Sequence, residues 1–182
     1  YVADPARTVE IFGRKLENPV GPAAGPHTQL AQNLVAAYYA GARFFELKTV
    51  QKMDGPELSA CIPKPCIVAE EEAYNCEWST ELYVPQAMEE YIKGWILIHV
   101  IAKEFGLGAQ DGFQFNISVG YDLAGIKGEK VNTFIDGMME AKDTVIFQEC
   151  RKWLLDNADK FQNFTREDIE AIPSNVCNSA TI

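Results

Sequence analysis

Two short segments with one helix between them constrain this chain more than anything else in it. Asn18-Pro-Val-Gly-Pro-Ala-Ala-Gly25 reads as a buried strand that runs out into a turn of small residues, and Gly41-Ala-Arg-Phe-Phe-Glu-Leu-Lys48-Thr49-Val50 reads as a second strand with a lysine near its carboxyl end. Thr28 is the expected N-cap of the intervening run Gln29 to Ala40, where Leu30, Leu34, Val35 and Tyr38 follow helical spacing and Gly41 supplies the stop. Small residues after a strand let a flat, bulky ligand approach the backbone. A lysine at the end of the next parallel strand opens into the same mouth, where (β/α) barrels place their chemistry. Ring surface beside a cation is what a flavin requires. Taken alone, Lys48 reads first as an ordinary solvated strand-end lysine, and it is the pairing with the Ala-Ala-Gly turn that favours a flavin.

The pattern continues as strand then helix. Thr8 to Phe12 and Lys15 to Pro19, about the Gly13-Arg14 pair, form a short hairpin. Residues 51–83 form a long loop-like stretch with Pro56, Pro63, Pro65 and the acidic run Glu70-Glu71-Glu72, read as solvated; Trp78 within it is a lid or a packing residue. Pro85 to Phe105 is a helix with a broad apolar face that includes Trp95 and His99, the latter expected to be a satisfied core histidine. Gly112 to Gly120 is a third strand. Val131 to Ala141 and Asp143 to Phe161 are helical, Thr165-Arg-Glu-Asp168 is a capping box that opens a short helix to Ala171, and Ser174 to Ile182 begins a fourth strand. Alternating strands and helices imply right-handed parallel crossovers, which suit a barrel or an open sheet.

Composition narrows the function classes. The chain has 182 residues, 47% of them hydrophobic and 11% aromatic, which is enough for one domain with a core of its own. Its net charge of −10, with no basic stripe, argues against a nucleic-acid partner. The longest apolar run, residues 94–102, is too short to span a bilayer, so no membrane partner is expected. No signal peptide is legible, and a start at Tyr1 rather than methionine leaves room for a preceding segment. Cys61, Cys66, Cys76, Cys150 and Cys177 lack paired spacing, which points to free thiols and a cytoplasmic location. The C-x4-C-x9-C spacing of the first three lacks a C-x2-C element, so no metal site is expected there.

Asn18-Pro-Val-Gly-Pro-Ala-Ala-Gly-Pro-His-Thr-Gln29, Glu46-Leu-Lys-Thr-Val-Gln51, Asn75-Cys-Glu-Trp-Ser-Thr-Glu81 and Phe115-Asn-Ile-Ser-Val-Gly-Tyr121 resemble the N-terminal part of a bacterial flavin/iron–sulfur oxidoreductase family whose members are labelled selenate reductase large subunits. The resemblance covers essentially the whole chain. More distantly, these segments are similar to dihydropyrimidine and dihydroorotate dehydrogenases. The resemblance implies an α/β fold over residues 1–182: the N-terminal half of an FMN-binding (β/α)8 TIM barrel, preceded by a short β-hairpin. Ala23, Ala24 and Gly25 match the small residues that lie against the isoalloxazine, Lys48 and Thr49 match a Lys-Thr/Ser pair that contacts the flavin, and Asn116 matches an asparagine that faces it. Read without the family, Asn116 is as readily a core asparagine satisfied by backbone. His27, after a Gly-Pro turn at a strand mouth, is a further ligand-facing candidate.

Asn75 resembles the asparagine that hydrogen-bonds the pyrimidine in dihydropyrimidine dehydrogenases, with Glu77 beside it. The implied reaction is reduction of a C=C or C=N bond in a purine- or pyrimidine-like heterocycle. Selenate reduction has no oxyanion-binding cluster to support it, and a non-catalytic barrel scaffold is the other alternative. The family's catalytic cysteine loop and flavin phosphate site follow the fourth strand, beyond Ile182, so no catalytic residue is assigned and Cys177 is not that cysteine. Iron–sulfur clusters, FAD and NADPH are expected only in other parts of a full-length protein. The expected partners are the heterocyclic substrate and the remainder of the same polypeptide or other subunits. Four strands cannot close an eight-stranded barrel, so the inward faces of Phe45 and Phe115 and the edge of the last strand are expected to need a cover.

Overall fold

The computed structural model describes residues 2–61, 82–120 and 122–182. Two antiparallel strands, β1 (Val9–Ile11) and β2 (Arg14–Leu16), pair across a two-residue turn. Both turn residues have positive φ, 50° at Phe12 and 75° at Gly13, the type I′ geometry that matches strand twist. The parallel strands follow: β3 (Phe44–Glu46), β4 (Val50–Gln51), β5 (Gln114–Gly120) and β6 (Cys177–Thr181). β5 pairs in parallel with β3 and β4 on one side and β6 on the other. β3 and β4 are two pieces of the expected second strand.

The expected first strand, near Val20, carries no regular ladder, yet it lies where one belongs. The carbonyl of Val20 accepts from the N–H of Phe44 at 3.2 Å and of Arg43 at 2.8 Å, and that of Pro22 accepts from Glu46 at 3.1 Å. The return bond from Phe44 would have to be donated by residue 22, and proline has no N–H. The approach at Gly21 is so close that an added Cβ would fall 1.5 Å from the carbonyl oxygen of Phe44. The parallel segments thus stand in chain order: 20–22, β3 with β4, β5, β6.

Helices α1 (Ala31–Tyr39), α2 (Gly55–Cys61), α3 (Val84–Glu104), α4 (Leu123–Ile126), α5 (Glu129–Met139), α6 (Val145–Asp156) and α7 (Arg166–Glu170) complete the fold. Thr28 does not cap α1. It closes a 3-10 turn, Pro26–Thr28, its hydroxyl accepting from Gly25 N–H at 3.2 Å and donating to Gly25 O at 3.0 Å. The first N–H of α1, on Ala31, donates instead to the Glu90 carboxylate of α3 at 2.9 Å. Asp54 likewise accepts from Val84 N–H at 2.7 Å, so α3 is capped from 30 residues upstream. Thr165 and Asp168 form the capping box of α7, each side chain bonding the other's backbone N–H.

The core lies between the sheet and α3. Phe45, Leu47, Val50, Phe113, Phe115, Ile117 and Val119 are buried against Tyr91, Trp95 and Ile98 of that helix. Phe45 and Phe115 are fully buried and pack edge to face at 5.3 Å, with Trp95 5.5 Å from Phe115. Such ring pairs contribute about 0.5–1.5 kcal/mol each beyond their burial. This corrects the expectation that Phe45 and Phe115 face inward: they are on the helix side. Strand alternation leaves Glu46, Gln114, Asn116 and Ser118 for the other face, and there polar side chains bond laterally from strand to strand.

Candidate functional site

The carboxyl ends of the parallel segments gather the loop Ala23–Gly25, the Lys48–Thr49 step and the inner face of β5. Register explains the step. Glu46 pairs with Asn116 and Val50 with Val119, so three residues, 47–49, span the interval that 117–118 span on β5. One extra residue is inserted, and Lys48 and Thr49 both fall between the core positions Leu47 and Val50. Such insertions re-aim side chains and concentrate near active sites. β6 carries an extra residue as well: Phe115 pairs with Cys177 but Ile117 with Ala180. Asn116 is therefore flanked by irregular neighbours on both sides.

Lys48 is buried, at 4% exposure, which removes the reading of a solvated strand-end lysine. Its backbone is held from two directions: its N–H donates to the carbonyl of Thr28 at 3.4 Å, and its carbonyl accepts from the Tyr91 hydroxyl at 2.7 Å. Burial pushes the Tyr91 phenol far up, so it stays a neutral donor. Thr28 thereby ties the Ala23–Gly25 loop to Lys48. The Thr49 hydroxyl lies 2.9 Å from that of Ser118.

Asn116, 2% exposed, is the most constrained polar group of the set. Its Nδ2 donates to Glu46 Oε1 at 3.0 Å and to Thr181 Oγ1 at 2.8 Å, and Thr181 Oγ1 donates to Glu46 Oε1 at 2.9 Å. Three adjacent strands are thus linked through side chains, and backbone does not satisfy the amide. Its Oδ1 has no partner among the described residues. Gln114, two residues earlier on the same face, repeats the pattern: Nε2 donates to Asn178 and Ser179 at 3.3 and 3.2 Å, and buried Oε1 is unpaired. Unpaired buried acceptors are costly, about 1–3 kcal/mol each, and point to donors supplied from elsewhere.

Of the residues expected from sequence, Ala23, Ala24 and Gly25 follow the first parallel segment, Lys48 and Thr49 lie at the inserted residue between β3 and β4, and Asn116 is on β5, on the face away from the core rings. Ala23 is exposed, Ala24 half-buried and Gly25 buried. His27 is exposed. Asn75, Glu77, Trp78, Cys66, Cys76 and Glu70 to Glu72 lie outside the described residues. His99 is buried as expected but not satisfied, since its Nε2 has no partner among the described residues. Sequence reading missed Thr28, Tyr91, Glu46 and Ser118 as supports. Alternation in Phe-Phe-Glu-Leu held the signal for Glu46, which falls between two core positions.

No helix among the described residues is long and apolar enough to cross a membrane. An ordered run of parallel strands, with helices on one face and polar groups on the other, defines a barrel-type α/β domain. The chain belongs to the family described as "Oxidoreductase YgfK, N-terminal TIM-barrel domain", which matches residues 1–182. Two relatives, each named "Putative oxidoreductase YgfK", from Escherichia coli strain K12 and from Escherichia coli O157:H7, are 45% identical over 181 residues. The match covers 95% of this chain and 17% of each relative, so the chain spans about a sixth of their length. No solved structure matches.

Proposed function

We propose that this domain forms the flavin-facing half of an FMN-dependent oxidoreductase barrel that reduces a C=C or C=N bond in a purine- or pyrimidine-like heterocycle. Electrons would arrive through iron–sulfur and flavin modules elsewhere in the full-length protein. The observation that carries this reading is the buried, unpaired Oδ1 of Asn116, held beside the inserted residue at Lys48–Thr49. The pyrimidine edge of an isoalloxazine presents an N–H between two carbonyls. A fixed amide oxygen is complementary to that N–H, and a lysine and a threonine hydroxyl are complementary to carbonyls. These residues therefore fit the group.

When bound, FMN supplies hydride transfer. The chain's own residues position and polarise. Ala23, Ala24 and Gly25 offer a surface without bulk. Lys48, fixed through both its backbone groups, would place a cation at the edge where negative charge collects on reduction. Glu46 and Thr181 orient Asn116 so that its oxygen, not its NH2, is the free end. Asn75, with Glu77 beside it, would bind the heterocycle, because an amide both donates and accepts toward an imide-like edge.

The test uses full-length protein. Flavin absorption in the purified wild type is expected, and Lys48→Ala should lose FMN or lower its reduction potential. Asn75→Ala should impair heterocycle turnover while flavin is retained, with about 1–3 kcal/mol lost in transition-state binding. Flavin content and potential unchanged in Lys48→Ala would remove Lys48 from the site. Absence of flavin from the wild type would favour a scaffold.

A further inference from the structure

Residues 18–42 contain no Asp, Glu, Lys or Arg, in a chain of which 23% is charged. They include the whole of α1, where Gln32, Ala36 and Tyr39 are exposed. One face of this helix is the core side, with Ala31, Leu34 and Tyr38 buried. The flank bearing Ala37 and Ala40 lines a hollow beside Asn18 to Pro22, at the edge that a barrel closes. The remaining face, turned away from the core, meets the end of α3 in a separate groove of about 490 Å³. Val35 and Tyr39 line it from α1, and Ile101, Phe105 and Leu107 line it from α3 and the turn that follows. A surface helix ordinarily carries charge on the face it turns to water, and this one carries none.

The rims of the groove are bare: Tyr39 is 69% exposed and Phe105 68%. Leu97, also exposed, precedes Ile101 and Phe105 by steps of four residues and extends their row along α3. Beyond the Tyr39 hydroxyl, Gln32 is the only polar side chain of the lining. A small-molecule site needs several convergent polar groups, and the groove does not have them. A membrane-surface helix carries Lys or Arg beside its apolar face, and α1 has neither. Partners that come and go meet across polar rims, whereas surfaces that stay covered are more apolar. The groove is of the second kind.

We propose that the α1–α3 groove permanently seats an apolar helix from another part of the same polypeptide. Two adjacent helices offer a third a groove for its ridges, and apolar anchors at helical spacing would fill the space between Tyr39 and Phe105. The length of chain elsewhere supports an internal occupant. The match covers 17% of each relative, so about five sixths of a full-length protein lies outside these residues. A second copy fits less well, since a two-fold contact would set groove on groove and leave both unfilled. Nothing in this contact depends on bound flavin.

Hydroxyl-radical footprinting of full-length protein tests the cover without mutation. Tyr39 and Phe105 should be oxidised about tenfold or more slowly than in the urea-unfolded protein, because a seated helix excludes water from them. Oxidation at rates close to the unfolded ones would overturn the proposal. A photoreactive benzophenone amino acid in place of Tyr39, in the full-length protein, then identifies the occupant. The expected product has the mass of one chain and joins position 39 to a peptide outside residues 1–182. A product with the mass of two chains, which marks a second copy, would sink the idea. So would a product confined to residues 1–182, or no product.

Discussion

Glu17 and Arg43 form a buried ion pair, Arg43 Nε to Glu17 Oε2 at 2.7 Å, that ties the hairpin to the start of the second strand. Arg43 is fully buried and lies 3.9 Å from the Tyr38 ring centroid. Its remaining donors reach the carbonyls of Tyr38, Ala42 and Leu107. Glu17 Oε1 accepts from Ala109 N–H at 2.7 Å, and Gly108, at φ 128°, leaves the room that the carboxylate fills. Glu17→Ala would strand a buried guanidinium, so a loss of about 3–5 kcal/mol is expected. Chemical denaturation of wild type and variant checks it, and a change below 1 kcal/mol, on the order of an exposed pair, would show that the charge is solvated.

Phe12 sits at φ 50° in the hairpin turn and is 60% exposed. Phe12→Asn should stabilise the protein by about 0.5–1 kcal/mol, since asparagine tolerates the left-handed region and little packing is lost. A lower melting midpoint would mean that the ring makes contacts outside the described residues.

Gly21→Ala places a methyl group on the carbonyl of Phe44. The first segment must then part from β3, at a cost of about 1–3 kcal/mol or more. Faster amide exchange at Arg43, Phe44 and Glu46, whose N–H groups are bonded to residues 20 and 22, is the expected readout. Unchanged protection there would show that the backbone yields without loss of the bonds.

His99 gives stability a pH dependence. Burial first, and the Arg14 charge second, hold its folded pKa near 3, below the ordinary value of 6.5, so the unfolded chain binds more protons between them. Stability should be complete above pH 6.5 and fall as pH drops toward 3. His99→Phe should flatten the decline in melting midpoint between about pH 6.5 and 5. An equal decline in both proteins would assign it to other groups.

Periodicity made the helices legible. α3 extends over Val84–Glu104 where spacing placed Pro85 to Phe105, and β5 extends over Gln114–Gly120 within the expected Gly112 to Gly120. Alternation was harder to use, because it does not say which face meets the helices, and Phe45 and Phe115 lie on the side opposite to expectation. The extra residue at 47–49 was not legible, since it exists only in register against β5. Nor was the burial of Arg43, whose partners are 26 residues upstream and 64 downstream. α2 and α4 were missed because helices of 7 and 4 residues carry little periodic signal. At the site, small residues and the lysine were visible as types, whereas the orientation of Asn116 by Glu46 and Thr181 arises only once three strands lie side by side.

The bond from Ala31 to Glu90 sets an order on synthesis. Leu30, the residue at the N-cap of α1, offers no side-chain acceptor, and the nine-residue helix is too short to hold by propensity alone. Its cap, and the surface where Gly94 admits Leu34 to the backbone of α3, are translated some sixty residues later. While those residues are still inside the ribosome, the emerging segment has no settled first helix. The two helices lock together only when α3 emerges. Pausing of translation before residue 90 would therefore leave Leu34 bare to chaperones, and a pause after α3 has cleared the exit tunnel would not.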